Sequence, residues 1–167
     1  MEGYQCSVCG EFHPELPLAF GAAVPHAYAE LSDADAEIRA DLSTDLCVID
    51  QELFFIRGQL EIPIVGEDQL FAWGVWVSIS RESFARVLET WEKDGREHEP
   101  PYFGWLNTLL SIYPDTLNLK ARVHTRPKGI RPFVELEPTD HPLAIEQREG
   151  VTWDRVYSLV SAVLHGN

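Results

Sequence analysis

The sequence predicts an α+β domain: a mainly antiparallel sheet of about five strands, about three helices packed on it, and an irregular N-terminal CxxC knuckle. One segment alternates apolar and polar residues with period two, and others repeat apolar residues at helical spacing. The connections between neighbouring strands are short, which favours antiparallel hairpins. With 167 residues, 45% of them hydrophobic, residues 1–167 are expected to form a single domain.

The N-terminal part is predicted to be irregular and then helical. Residues 1–25 contain the CxxC motif and three prolines, and we expect a knuckle there. The first helix is expected over residues 32–42. Ser32 suits its N-cap, and two aspartates follow in the first turn, where the helix dipole favours acidic groups. A modest apolar stripe that includes Ile38 gives this helix a face to bury.

Two strand-like segments are expected next, the first over residues 47–49 together with 53–64 and the second over residues 71–80. The second alternates between two faces, with valines and isoleucine on one side and tryptophan and serines on the other. A turn sequence at residues 66–68 separates the two segments. Because this connection is short, the two strands are predicted to pair antiparallel.

A second helix is expected over residues 81–93, capped by Ser80. Its apolar face repeats at i, i+3, i+4 and i+7 through Phe84, Val87, Leu88 and Trp91. A long connection over residues 94–114 follows. It carries an aromatic run and is expected to end in a short helix over residues 106–112.

The C-terminal part predicts two further strands and a final helix. Strands over residues 116–125 and 131–136 are joined as a hairpin by the Pro-Lys-Gly turn at residues 127–129. A fifth short extended run over residues 143–147 is expected to complete the sheet. The last helix is expected over residues 153–164, with four apolar residues along one side.

The charge is strongly acidic and unevenly distributed. The chain has 27 acidic and 13 basic residues, a net charge of −14. This argues against nucleic-acid binding and against docking on anionic membranes, and it favours a partner protein with a basic surface. No signal peptide or membrane span is evident, so we expect a cytoplasmic protein. Residues 1–83 hold 15 acids and 3 bases, whereas residues 120–131 hold five bases and no acid.

The motif Cys6-x-x-Cys9 indicates a structural zinc site. Two thiolates three positions apart can hold one tetrahedral zinc ion at ~2.3 Å. His13 and Cys47 would complete a Cys3His ligand set. The alternative is a pair of free thiols, with Cys47 buried as a small hydrophobic residue. A thioredoxin-like redox role is disfavoured, because the motif has no room for a preceding strand.

A basic stretch forms the second candidate contact. Cationic or imidazole groups occupy every second position over residues 120–126, so a strand would place them on one face. We interpret this face either as a contact for an anion or an acidic partner, or as a solvated face that balances the acidic half. The candidates are Lys120, Arg122, His124, Arg126 and Arg131.

Aromatic residues form the third candidate. Packing in the core is their usual role. The run at residues 102–105 lies in the predicted long connection, and such residues also line clefts and interfaces. The candidates for a cleft or an interface are Trp73, Trp76, Phe103 and Trp105.

Seven segments match one known pattern when taken together. They are residues 6–13, 45–50, 54–58, 73–80, 102–106, 113–116 and 140–147. In combination these segments resemble an uncharacterised bacterial family, domain of unknown function 2199. The resemblance extends from residue 6 to about residue 165. It implies a free-standing bacterial domain and strengthens the case for treating the four proposed zinc ligands as one set. It implies no activity.

We therefore predict a binding or interaction protein stabilised by zinc, rather than an enzyme. The sequence contains no P-loop, no nucleophile elbow and no HExxH motif. One alternative is a hydrolase in which His124 or His141, together with Arg131 and Glu146, act in an aromatic cleft. Another alternative is an immunity-like protein that blocks a basic partner.

Overall fold

The structure is a computed structural model that describes residues 4–5, 12–13 and 16–165. It confirms the α+β class. The strands are β1 (Tyr4–Gln5), β2 (Phe12–His13), β3 (Ala19–Gly21), β4 (Ala40–Leu42), β5 (Leu46–Ile49), β6 (Leu53–Pro63), β7 (Leu70–Ile79), β8 (Tyr102–Leu106), β9 (Lys120–His124) and β10 (Phe133–Leu136). The helices are α1 (His26–Ala29), α2 (Asp33–Arg39), α3 (Arg81–Thr90), α4 (Pro142–Glu149) and α5 (Trp153–His165), with a single 3-10 turn at Arg96–His98.

Five strands close into a barrel. Strands β6 to β10 follow one another around the ring, and each is antiparallel to the next. The ring is closed by β10, which pairs parallel with β6 where Phe133 lies opposite Gln59. Strand β3 extends the sheet beside β7, and β5 and β4 extend it beside β6. The expected sheet of about five strands is therefore a closed barrel within an eight-stranded sheet.

The long hairpin of β6 and β7 is the centre of this architecture. Its register runs from Phe54 opposite Ile79 to Pro63 opposite Leu70. Both strands are buried along most of their length, because the barrel interior covers one face and further elements cover parts of the other. The antiparallel pairing predicted from the short connection is confirmed.

Two apolar layers lie on opposite sides of the sheet. The larger one fills the barrel and continues beneath α3, α4 and α5, and it includes Ile56, Val77 and Leu159. The smaller one lies on the other face of β5, β6 and β7, around Cys47 and Trp76. The segment of α1 packs against this second layer. Strand β5 thus contributes alternate side chains to different layers, as its period of two requires.

The helices begin where the sequence indicated but bury less than expected. Ser32 Oγ accepts a hydrogen bond from the Asp35 amide, and Ser80 Oγ accepts one from the Ser83 amide, so both predicted N-caps are present. However, α2 ends at Arg39, and the chain continues as the edge strand β4. None of the described helices is both long and apolar enough to cross a membrane.

Several predicted elements are wrong. Residues 143–147 are helical within α4, because His141 caps the helix and Pro142 occupies its first turn, a position that proline favours. The aromatic run forms strand β8, and residues 106–112 form no helix. Five helices are described instead of about three. Residues 1–25, expected to be irregular, include the paired strands β1 and β2 as well as β3.

Candidate functional site

Four exposed side chains gather on the outside of the barrel. They are Phe103, Trp105, Lys120 and Arg122, and we call them the aromatic–cationic face. Strands β8 and β9 alternate between buried and exposed residues, and these four occupy exposed positions. The antiparallel register places Phe103 opposite Arg122 and Trp105 opposite Lys120. Two predictions that were separate in the sequence, a basic strip and an aromatic interface, therefore fall on one surface.

The aromatic rings of this face are solvent-exposed and held by their neighbours. Phe103 is 51% exposed and Trp105 is 41% exposed. Their ring centroids lie 5.2 Å apart at an interplanar angle of 81°, an edge-to-face contact. The Lys120 ammonium lies 5.9 Å from the Trp105 ring centroid, within reach of a cation–π interaction. Arg122 forms no ion pair with any described residue.

A recess of about 400 Å³ lies beside the face. Phe103, Lys120 and Arg122 line it together with Glu135 and Glu137. The two carboxylates balance the two cations, so the recess is not a simple anion site. Exposed aromatic rings next to an arginine are instead typical of the centre of a protein–protein interface.

The sheet behind the face leaves little room for adjustment. Gly104 lies between the two exposed aromatic residues and points inward. A Cβ atom at this position would contact the Ser78 carbonyl oxygen and lie 2.5 Å from Val77 Cγ1. The close approach of β7 therefore requires glycine here. Because the backbone on both sides is paired, the face is carried by a rigid scaffold.

The other candidates of the basic stretch contact carboxylates. His124 Nε2 lies 2.9 Å from Glu135 Oε1. Arg126 lies beyond the end of β9 and donates two hydrogen bonds to Glu61, at 2.8 and 2.7 Å. The side chains of His124 and Arg126 are therefore already engaged within the molecule, whereas that of Arg122 is not.

The same holds for Arg131, whose Nε donates to Asp45 Oδ1 at 2.7 Å. Asp45 belongs to the acidic first half of the sequence, and so does Glu61. The acidic and basic regions of the chain therefore meet within the molecule at two half-buried ion pairs.

The two earlier tryptophan candidates are core residues. Trp73 is 3% exposed and Trp76 is fully buried. Trp76 Nε1 donates to the Ala22 carbonyl at 3.0 Å, and Trp73 Nε1 donates to the Tyr113 hydroxyl at 3.3 Å. Neither ring is available to an external ligand, so their contribution is to packing.

Of the four predicted zinc ligands, only Cys47 has a described side chain. Cys6 and Cys9 lie outside the described residues, and His13 is described only as part of β2. Cys47 is fully buried among apolar side chains, and burial, with a smaller contribution from Asp41, raises the pKa of its thiol to about 11. Within the described residues, no group of three His, Cys, Asp or Glu side chains could hold a metal ion.

The residues of the hydrolase alternative have separate structural partners. His141 Nδ1 accepts a hydrogen bond from the Leu143 amide, so its Nε2 carries the proton and donates to the Pro114 and Asp115 carbonyls, each at 3.1 Å. His141 is thus a helix cap. The two other named groups, His124 and Arg131, are held by Glu135 and Asp45.

The predicted carboxylate, Glu146, joins a partly buried network. Its Oε1 accepts from the Tyr113 hydroxyl and its Oε2 accepts from Arg155 Nε, both at 2.7 Å. Burial, reinforced by the Glu146 carboxylate, raises the pKa of Tyr113. The network connects β7, through Trp73, with the two C-terminal helices.

The pattern of motifs along the chain is matched by one family. DUF2199, described as an uncharacterised protein family conserved in bacteria, matches residues 5–151. The chain belongs to this family. The predicted resemblance is confirmed, and the DUF2199 match covers the whole barrel and the aromatic–cationic face and ends before α5. The description of DUF2199 names no activity. No curated protein and no solved structure matches the chain.

Two features of the surface were not predicted from the sequence. Glu135 and Glu137 lie close to the predicted basic strip, and the period of two in β10 could have placed Glu135 on the same face as the cations. The second feature is an open groove beside α3. Ile38 and Leu88, both expected to be buried on helices, are 83% and 54% exposed there.

Proposed function

We propose that this DUF2199 protein is an interaction protein of the bacterial cytoplasm that binds a partner protein through the aromatic–cationic face. The observation that carries the proposal is the pairing of Phe103 and Trp105 with Lys120 and Arg122 on the exposed side of two barrel strands. Trp and Arg are the residue types that most often dominate the binding energy of interfaces.

The physical reason is that this face loses little freedom on binding. Each aromatic side chain has few rotatable bonds, and the edge-to-face contact between the two rings restricts them further. Arg122 keeps its hydrogen-bond donors available for a carboxylate or carbonyl group of the partner. A central aromatic residue of this kind contributes about 2 kcal/mol to binding, so removing Trp105 is expected to weaken the complex about 30-fold.

A structural zinc ion held by Cys6, Cys9, His13 and Cys47 is part of the proposal. Its support is the CxxC spacing and the position of His13 in β2, which pairs with the strand that immediately precedes Cys6 in sequence. Cys47 lies among apolar side chains, so its membership of the ligand set is tested separately from that of Cys6. Zinc analysis of the wild type, Cys6→Ser and Cys47→Ser tests the set: we expect about one zinc ion per chain in the wild type and none in either variant, and zinc retained in Cys47→Ser would remove Cys47 from the ligands.

The partner-binding proposal is tested by photo-crosslinking in the source bacterium. A photoreactive phenylalanine analogue replaces Phe103 in one strain, and replaces the similarly exposed Leu109 or Ile130 in control strains. We expect one discrete adduct from position 103. The adduct is expected to weaken strongly when Arg122→Ala is added, and to stay unchanged when the exposed cation is removed by Lys93→Ala.

Two results would reject the proposal. In the first, the control positions give the same crosslinked adducts as position 103, which would indicate random encounters. In the second, neither Arg122→Ala nor Trp105→Ala changes the yield of the adduct from position 103. Because all these side chains are exposed, the variants are expected to fold, which circular dichroism checks.

A further inference from the structure

One free edge of the eight-stranded sheet lies beside an apolar recess. Strands β3 and β4 are the outermost strands of this sheet, so each has one side without a neighbouring strand. The recess has a volume of about 310 Å³ and adjoins β3, and the connection over residues 108–112 and the end of α5 form its other borders. None of the residues that line it is charged.

The even-numbered residues of the β3 segment, residues 18–22, pair with β7. The Leu18 carbonyl accepts a hydrogen bond from the Ala72 amide at 2.8 Å. Two pairs further along, the Ala22 amide donates to the Gly74 carbonyl at 3.1 Å. Because main-chain groups alternate sides along a strand, the odd-numbered residues direct theirs away from β7.

Ala19 and Gly21 thus present two amides and two carbonyls on the outer side of β3. No described residue forms a hydrogen bond with any of these four groups. Such an edge is a template for a further strand, and proteins commonly protect it with charged residues or with proline. The other outer strand, β4, carries Asp41, whereas β3 carries no charge and is limited by Pro17 only on its N-terminal side.

The recess lies on the face of β3 that carries Phe20. The centroid of this ring lies 6.2 Å from those of Phe71 and Trp73 in the larger apolar layer. Leu109 and Val163 also line the recess, and both are exposed. A strand added at the outer edge of β3 would place every second side chain on this face. An occupant must therefore supply an extended backbone for the edge and apolar side chains for the recess.

We infer that β3 and this recess bind an extended segment of a partner protein, in which apolar residues alternate with uncharged polar ones. In this mode of recognition, main-chain hydrogen bonds provide affinity, and pockets for alternate side chains provide specificity. A helix cannot take this place, because its own main-chain groups are bonded to one another. The recess shares no lining residue with the one beside the aromatic–cationic face, and the inference does not depend on the function proposed for that face.

The test begins with two displayed libraries of peptides about seven residues long. In one library, apolar and uncharged polar residues alternate, and in the other the same residues are arranged at helical spacing. We expect the full chain to enrich sequences from the alternating library only. The most enriched peptide is then labelled, and its affinity is measured by fluorescence anisotropy at low and at moderate salt. The affinity is expected to change little with salt, because the recess is uncharged.

Changes to the two backbones test the pairing at the edge. Ala19→Pro removes one outward amide, leaves the hydrogen bonds to β7 intact, and is expected to weaken peptide binding at least about fivefold. Ala19→Ser retains the amide and is the matched control, with an expected change of less than about twofold. A peptide N-methylated at the alternate amides that face β3 is expected to lose binding, whereas methylation of the other amides is expected to preserve it.

Changes to side chains test the recess. Leu109→Ser combined with Val163→Ser leaves the net charge unchanged and is expected to weaken the affinity at least about tenfold. Ile38→Ser combined with Leu88→Ser, at exposed apolar positions elsewhere, is the control and is expected to change it less than about twofold. Because position 109 lines this recess, crosslinks from it are expected to differ from those of position 103.

Five results would overturn the inference. The alternating library is not enriched above the other one; Ala19→Pro binds the peptide as tightly as Ala19→Ser; the two methylated peptides bind equally well; the double variant at residues 109 and 163 binds as tightly as the wild type; or the wild type sediments as a dimer that Ala19→Pro abolishes, so that a second copy pairs with β3. Circular dichroism checks the folding of each variant, and the methylated peptides require no variant. Loss of the crosslinks from position 103 would leave this inference intact, since it concerns another surface.

Discussion

Arg96 provides a sharp test of how the basic stretch of residues 120–131 is held in place. The side chain is 7% exposed, yet no carboxylate among the described residues pairs with it. Instead, its guanidinium donates to four main-chain carbonyls, those of Trp91, Arg126, Pro127 and Ile130, at 3.0, 2.8, 3.3 and 3.1 Å. One arginine thereby fastens the turn between β9 and β10 to the end of α3.

The perturbation is Arg96→Met, which keeps much of the apolar volume and removes every donor. A hydrogen bond from a charged donor contributes about 1.5 kcal/mol at the low end of its range, and the two shorter bonds are assigned this value. The two longer bonds are assigned about half as much, because the strength declines with distance. After about 1 kcal/mol is recovered from no longer burying a charge, the free energy of unfolding is expected to fall by about 3 to 4 kcal/mol.

The measurement is urea unfolding followed by tryptophan fluorescence. The dependence of the unfolding free energy on urea concentration, the m-value, is compared between variants. Arg86→Met is the control, because Arg86 is itself exposed and forms ion pairs with the exposed Glu89 and the partly buried Glu99, and we expect a loss of less than about 1 kcal/mol. A loss below about 1 kcal/mol for Arg96→Met, at an unchanged m-value, would refute the reasoning that these four bonds hold the turn.

Three further predictions concern single sites. Gly104→Ala is expected to cost about 2 to 3 kcal/mol of unfolding free energy in urea and to abolish the crosslink from position 103, because the added Cβ collides with β7. With the other two cysteines replaced by serine, Cys47 is expected to resist a thiol reagent at pH 8 until urea unfolds the chain; rapid reaction in buffer would contradict its burial. Tyr113→Phe is expected to cost about 1 to 2 kcal/mol, since Glu146 loses a donor. The raised pKa of Tyr113 means that the folded state holds this proton more tightly, so stability falls above about pH 10 in the wild type and less in the variant.

Local patterns were sufficient for the elements that local contacts determine. The alternation in β7, the helical spacing in α3 and α5 and the turn between β9 and β10 were all visible within short windows. The prediction of an extended run over residues 143–147 was wrong because five residues are too few to show a period. The deciding signals there were the His141 cap and Pro142, which only the helix uses.

The arrangement of charges depended on contacts between distant residues. Arg126 and Arg131 belong to one basic stretch, yet their partners Glu61 and Asp45 come from two different strands or turns much earlier in the chain. No pattern within the basic stretch distinguishes these paired cations from Arg122, which stays unpaired within the described chain. Barrel closure determines which of them face a carboxylate. The aromatic–cationic face could therefore be predicted as two lists of residues, but not as one surface.

The closure between Phe133 and Gln59 also has a consequence for folding kinetics. The first strand of the ring is made long before the last one, so a nascent chain that ends before β10 can form the β6–β7 hairpin but holds an open sheet with two unpaired edges. Joining the ends requires closing a long loop, which slows folding of such topologies. We therefore expect a chain truncated before β10 to aggregate more readily than the full chain, because its sheet edges stay unpaired.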